Sequence, residues 1–154
     1  MAYLKAPDVI SGQEGMAYMT INGENKMMFY VKTLEANLEK EKDEIKTLGK
    51  RLTQHKLKGM KGSGSFTAYM VTSTFAEMAE KYSKDGVDQY FDIRVVNDDP
   101  SSGIGRQSVL LKSCNIDTYP ITKLDVEASA LEFDLNFTFD DVVVLESFSE
   151  PELG

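Results

Sequence analysis

Apolar and polar residues alternate along much of this chain with a period of two. The pattern is clearest where Leu131, Phe133, Leu135, Phe137 and Phe139 alternate with Glu132, Asp134, Asn136 and Thr138. Such a run predicts a strand with one buried and one polar face. Shorter runs predict strands at Gly15–Ile21, Lys26–Val31, Ser65–Val71, Tyr90–Val96 and Gln107–Ile116. Asn22-Gly23 separates the first two and suits the positive φ angles of a tight hairpin turn.

One window has the helical period instead. Phe75, Met78, Ala79 and Tyr82 form a stripe, Thr74 and Glu77 have the spacing of a capping box, and Gly86 can end the helix in a left-handed conformation. These signals predict a helix over about 74–85, with Phe75, Met78 and Tyr82 packing it onto a sheet.

Between Leu34 and Leu52 two patterns conflict. Leu34, Ala36 and Leu38 alternate with Glu35, Asn37 and Glu39 as in a strand that continues from Val31. Leu34, Leu38, Ile45, Leu48 and Leu52 also fall at helical spacings, and propensity favours the helix. Gly49–Gly64 is rich in glycine and cations and reads as a long mobile loop, giving an arm or loop over about 40–64. Residues 1–14 read as an extended N-terminal arm and 145–154 as a loose tail. The expectation is a mainly β, single-domain chain (1–154): an antiparallel β-sandwich or barrel of six or seven strands with one flanking α-helix.

The chain has 154 residues, 42% apolar and 27% charged, as in an ordinary globular domain. No apolar run reaches the length of a membrane helix, and Met1–Pro7 lacks the basic and apolar regions of a secretory signal, so neither a membrane anchor nor a signal is expected. A single cysteine, Cys114, excludes a disulfide framework and a cysteine-based zinc site, and reads as a small core residue. The only histidine, His55, lies among cations, a poor setting for a metal ligand. Seventeen basic against 25 acidic residues give a net charge of −8. Most of such a surface repels polyphosphate, which argues against nucleic-acid recognition but not against nucleic acid sliding past.

Candidate chemistry is sparse. Gly59-Met60-Lys61-Gly62-Ser63-Gly64-Ser65 resembles a phosphate loop, but its lysine comes too early and a strand follows where a helix is needed. Asp98–Gly103 lacks the alternating oxygen ligands and closing glutamate of a calcium loop. Asp140-Asp141 reads as a solvated strand end, and the sequon Asn136-Phe137-Thr138 falls inside a strand. No nucleophile elbow accompanies the serines. No enzyme, cofactor or metal is expected.

The charge pattern is more telling. Cations concentrate in Lys40–Lys61, while Glu35, Glu39, Asp92, Asp125, Glu127, Glu132 and Asp134 make the strands and loops acidic. A basic protrusion on an acidic body is self-complementary. With open strand edges, it points to self-assembly through edge pairing and loop docking; simple solvation of the charged run is the alternative.

Several motifs, in order along the chain, resemble one family: Ile10-Ser11-Gly12-Gln13-Glu14-Gly15, Thr20-Ile21-Asn22-Gly23, Lys46-Thr47-Leu48-Gly49-Lys50-Arg51, Gln54-His55-Lys56, Gly62-Ser63-Gly64-Ser65, Val71-Thr72-Ser73, Tyr90-Phe91-Asp92-Ile93 and Leu124-Asp125-Val126-Glu127. The chain is similar to the tail tube proteins of contractile phages, of the type found in the PBSX defective prophage. The resemblance implies a β-sandwich subunit that forms hexameric rings stacked into a hollow tube. Its implied partners are further copies of itself, a sheath protein, baseplate and tail terminator proteins, and DNA that passes through the lumen without specific binding. Its implied place is the virion tail, assembled in the host bacterial cytoplasm.

The resemblance also implies an extended arm between the second and third long strands, which turns Leu34–Leu52 toward strand plus loop, against propensity. The inter-subunit arm candidates are then Lys40, Lys42, Lys46, Lys50, Arg51, His55, Lys56, Lys58 and Lys61. The lumen candidates are Glu35, Asn37, Glu39, Glu132, Asp134 and Asn136. Alternatives are the tube of a phage-tail-like bacteriocin or type VI-like secretion apparatus and, from another class, a small non-catalytic binding module.

Overall fold

A computed structural model describes residues 2, 4–8, 12–13, 15–28, 30–127, 129–151 and 153. Eight strands and one helix appear among them: β1 (Gly15–Ile21), β2 (Glu24–Met27), β3 (Val31–Ile45), β4 (Gln54–Tyr69), α1 (Thr74–Asp85), β5 (Phe91–Asp98), β6 (Arg106–Ile116), β7 (Glu132–Phe139) and β8 (Asp141–Glu146). All pairings are antiparallel, in the order β2-β1-β5-β6-β7-β4-β3, with β8 also paired to β6.

The first hairpin forms as expected. Ile21 faces Glu24, and Asn22 and Gly23 both have positive φ (52° and 81°), the signature of a type I′ turn. Its second strand is shorter than the sequence predicts: β2 ends at Met27, and the Val31 N–H donates to Met28 O (3.2 Å) across the bend into β3. The N-terminal segment contains a 3-10 turn, Ala6–Asp8, and Pro7 O accepts the Gly103 N–H (3.0 Å). Residues 1, 3, 9–11 and 14 of the predicted arm, with Ile10, Ser11 and Glu14 of the first family motif, lie outside the described residues.

The region 31–69 corrects two expectations. Neither a helix over Leu34–Leu52 nor a mobile loop over Gly49–Gly64 forms; the segment is one long hairpin, β3 paired with β4 from Val31↔Ala68 to Ile45↔Gln54. Only 46–53 turns. Gly62 and Gly64 are strand residues because aromatic rings of β7 occupy the space their side chains would fill. A Cβ at Gly62 would stand 2.5 Å from the Phe139 ring, and one at Gly64 2.5 Å from that of Phe137. This packing overrides local propensity. Of the leucines in the helical reading, Leu34 packs against the core, while Leu48 and Leu52 project into solvent at the turn.

β6 joins the two halves of the fold. Along Ser108–Lys112 it pairs β8, and at Asn115–Ile116 it pairs β7 on the same side. Between them the register with β5 slips, as Phe91↔Cys114 follows Ile93↔Leu111. Ser113, with φ 55°, sits in this bulge, and its N–H donates to Asp92 Oδ1 (3.1 Å). The chain turns the corner from β7 to β8 at Asp140, whose N–H donates to Lys112 O (3.0 Å). β8 is a strand the alternation pattern does not show, and it draws Leu145 and Glu146 out of the predicted loose tail. Beyond it, the Ser149 N–H donates to Ile104 O (2.7 Å).

The core lies between the layers and under α1. Met19, Phe66, Ala68, Phe91, Ile93, Leu111, Cys114, Phe133, Leu135, Phe137 and Phe139 are buried. Phe75 inserts from α1 among Tyr30, Phe66 and Phe133, with centroids 5.7–6.4 Å apart. Two helix details differ from expectation. Ser73, not Thr74, is the N-cap and makes no side-chain cap hydrogen bond, while Thr74 is the first helical residue and its N–H donates to Thr72 Oγ1 (3.3 Å). Tyr82 is 53% exposed, and the buried residues of the helix are Phe75 and Met78. Gly86 ends it in the left-handed region, its N–H on Tyr82 O (2.9 Å).

Candidate assembly surfaces

The registers of β3, β4 and β7 place all six lumen candidates on one face. Glu35, Ser65 and Asn136 stand in line across the three strands, as do Asn37, Ser63 and Thr138. Glu39 continues the row on β3, and Asp134 and Glu132 continue it on β7 opposite Thr67 and Tyr69. Because strand side chains alternate, the other face of the same strands carries Leu34, Ala36, Phe66, Phe133, Leu135 and Phe137 into the core.

The side chains of this polar face make contacts with one another. Thr67 Oγ1 donates to Asp134 Oδ1 (2.6 Å), and Asn37 Nδ2 donates to Glu35 Oε1 (3.1 Å). Lys32 Nζ lies 3.1 Å from Glu132 Oε1, and the hydrogen bond and charge of that carboxylate raise the lysine pKa. A shallow depression of about 350 Å³ lies among Glu35, Asn37, Ser63, Ser65, Asp117 and Asn136.

The nine arm candidates are all exposed, but they do not form one patch. Lys46, Lys50 and Arg51 cluster at the turn. Lys40, Lys42 and His55 extend from the core-side face of the hairpin, and Lys56 and Lys61 from the polar face. Lys58 is the extra residue where Glu41↔Gly59 gives way to Lys42↔Leu57. Lys61 is already engaged, with its Nζ 2.9 Å from Glu41 Oε1, a contact that raises its pKa.

The hairpin extends past the end of β7, and its core-side face is left uncovered there. Leu38 (48% exposed), Leu57 and Met60 project from it, so Leu38 does not join Leu34 and Ala36 at the core as the alternation predicts. With Phe139 and Val142, Leu38 and Met60 line a groove of about 540 Å³. Among the described residues β2, β3 and β8 each pair with one strand only and present an open edge. Sequence reading missed this apolar patch because alternation assigns Leu38 to the core, while Leu57 and Met60 fall in the segment that reads as a loop.

Other candidate motifs are structural. The Gly-rich segment Gly59–Ser65 lies inside β4. Asp99 is buried in the turn before β6, where its Oδ1 accepts the Ser101 N–H (2.9 Å). Cys114 is fully buried, its Sγ 3.5 Å from Leu111 O, and burial pushes its thiol up to about 12. Among the described residues no helix is long and apolar enough to cross a membrane, and no group of three or more His, Cys, Asp or Glu could hold a metal ion.

Comparison with known proteins agrees with this architecture. The chain is 44% identical over 147 residues to the phage-like element PBSX protein XkdM of Bacillus subtilis strain 168, covering 96% of this chain and 97% of that one. A solved structure of a Bacillus subtilis protein, 39% identical, superposes with a TM-score of 0.52 over 88% of this chain and 98% of the other. A subunit of the PVC sheath–tube complex, an extracellular contractile injection system, shares the fold at 8% identity, with a TM-score of 0.66 over 90% of this chain and 93% of that one. The family model for phage tail tube proteins matches residues 2–146, and the chain belongs to that family.

Proposed function

We propose that this chain is the non-enzymatic building block of the hollow inner tube of a contractile tail, six copies to a ring and ring upon ring. One observation carries the reading. A continuous polar and acidic face on β3, β4 and β7 backs directly onto the core, while an open edge and a long overhanging hairpin flank it. A lone domain gains nothing from such an overhang, whereas joining the open edges of neighbouring copies closes a barrel around that face. Glu35, Asn37, Glu39, Glu132, Asp134 and Asn136 then line the lumen, and the cationic hairpin reaches neighbouring copies.

In this reading the outer layer meets a sheath protein, the tube ends meet baseplate and terminator proteins, and DNA passes along the acidic wall without being held. Assembly takes place in the host cytoplasm, and the tube ends in the virion tail.

Negative-stain microscopy of the purified protein tests the reading. Rings or tubes with a central channel are expected. A species that stays monomeric at high concentration overturns it.

A further inference from the structure

The hairpin turn and the loop between β6 and β7 lie at opposite ends of one sheet. β7 runs beside β4 from Glu132↔Tyr69 to Phe139↔Gly62. From Gly62 back to Gln54, β4 continues past it for roughly 26 Å at about 3.3 Å per residue. At the far tip of this overhang, 46–53 carries Lys46, Lys50 and Arg51 and no acid, with Leu48 and Leu52 facing solvent.

The other end is fixed by Lys123, whose Nζ donates to Glu132 O (3.0 Å), and by Leu131 O, which accepts the Met70 N–H (2.8 Å). There Leu124 and Val126 are exposed and alternate with Lys123, Asp125 and Glu127, and Ile121 is exposed just before them. The Glu127 N–H donates to Asp125 Oδ1 (3.1 Å), which holds the two acids in one turn. Two apolar clusters of opposite charge thus stand uncovered at the two ends of the same strands. Leu48 and Val126 are as exposed as residues in an extended chain (104% and 101%), and Leu52 and Leu124 are nearly so, so these four side chains find little packing within their own subunit.

We propose that the hairpin turn of one copy seats on the 121–127 loop of the next copy along the strand direction. Leu48 and Leu52 meet Leu124 and Val126, while Lys50 and Arg51 meet Asp125 and Glu127. The inference rests on the tube reading and identifies the surface that receives the hairpin. Because donor and acceptor lie at opposite ends of the subunit, the contact is heterologous and open, and it adds length rather than closing a ring. Opposite charge at its rim selects the register, and the leucines supply the buried area.

Disulfide trapping tests it in the full chain with Leu48→Cys and Leu124→Cys together, Cys114 staying out of reach in the core. Both sites are exposed, so the variant folds. Mild oxidation should give a ladder of linked copies, several-fold richer than that from a control pair, Leu48→Cys with Tyr82→Cys. Tubes visible by microscopy with no ladder, or with one no richer than the control, overturn the docking surface and leave the tube reading standing. Monomers without a ladder overturn both.

Discussion

The ring of Phe137 lies over Gly64, its Cζ 2.5 Å from where a β-carbon would stand, with Glu35 O at 2.6 Å from the same point. Both neighbours are fixed, one a fully buried ring and the other backbone of β3. Gly64→Ala therefore overpacks the core and should cost at least the usual 1–3 kcal/mol, about a fifth of a domain's usual margin of roughly 5–15 kcal/mol. At Gly62 the obstacle is the Phe139 ring alone, which borders the open groove and has room to turn. Gly62→Ala should cost clearly less. Urea denaturation of the two variants measures the difference, and equal losses would show that the rings do not set the requirement for glycine.

The helix offers a second contrast. Phe75 is buried in an aromatic cluster, while Tyr82 on the same helix faces solvent. Phe75→Ala should cost about 3–5 kcal/mol, and Tyr82→Ala should stay within about 0.5 kcal/mol. Thermal melting of the pair decides the matter; a large loss at Tyr82 would mean that the helix rests on the other side.

These contrasts show which parts of the fold are legible in the chain. The Asn22-Gly23 turn, the alternation of β7 and the Phe75–Met78 stripe are each decided by a few adjacent residues, so local chemistry reveals them. The β3–β4 hairpin is decided by partners far along the chain. Gly62 and Gly64 read as loop until Phe139 and Phe137 arrive from β7, and Leu48 and Leu52 read as core until the turn carries them outward. β8 escapes because Val142-Val143-Val144 is too uniform to show a period and because only Asp140 separates β8 from the end of β7. Of the candidate surfaces, the polar face is legible from alternation alone. The split of the cations over two faces and a turn depends on the pairing register.

Cys114 links burial to pH. Its thiol moves from an ordinary value of 9.0 to about 12, chiefly through desolvation. A group whose pKa is raised on folding contributes fully below its unfolded value and loses that contribution as pH rises through the folded one. Stability should therefore fall between about pH 9 and 12. Burial raises the Tyr30 and Tyr119 phenols in the same sense. Cys114→Ala should lower stability at neutral pH by leaving a small cavity, yet flatten the alkaline decline. Denaturation midpoints from pH 8 to 11 test this, and parallel curves for the two proteins would remove the thiol as a cause.

The acidic face carries the last prediction. Glu35, Glu132 and Asp134 lie on one side of β3 and β7, away from the core, so lysine at all three removes exposed contacts to Asn37, Lys32 and Thr67 but no core packing, and the subunit should still fold. Three reversals of two units each change the formal charge of a subunit from −8 to −2, with the whole change on that face. If the face lines a lumen, the wall turns from repelling phosphate to holding it, and each retained phosphate contact is weakened by salt through counterion release. Tubes of the triple variant should retain short duplex DNA at low ionic strength and release it as salt rises, whereas the parent tubes retain none. Position is checked separately with Asn136→Cys and maleimides of increasing size. Small reagents should label assembled tubes, and polymer-linked ones wider than the channel should label only free subunits. Equal labelling of tubes by both would place this face on the outer surface and remove it from the path of the DNA.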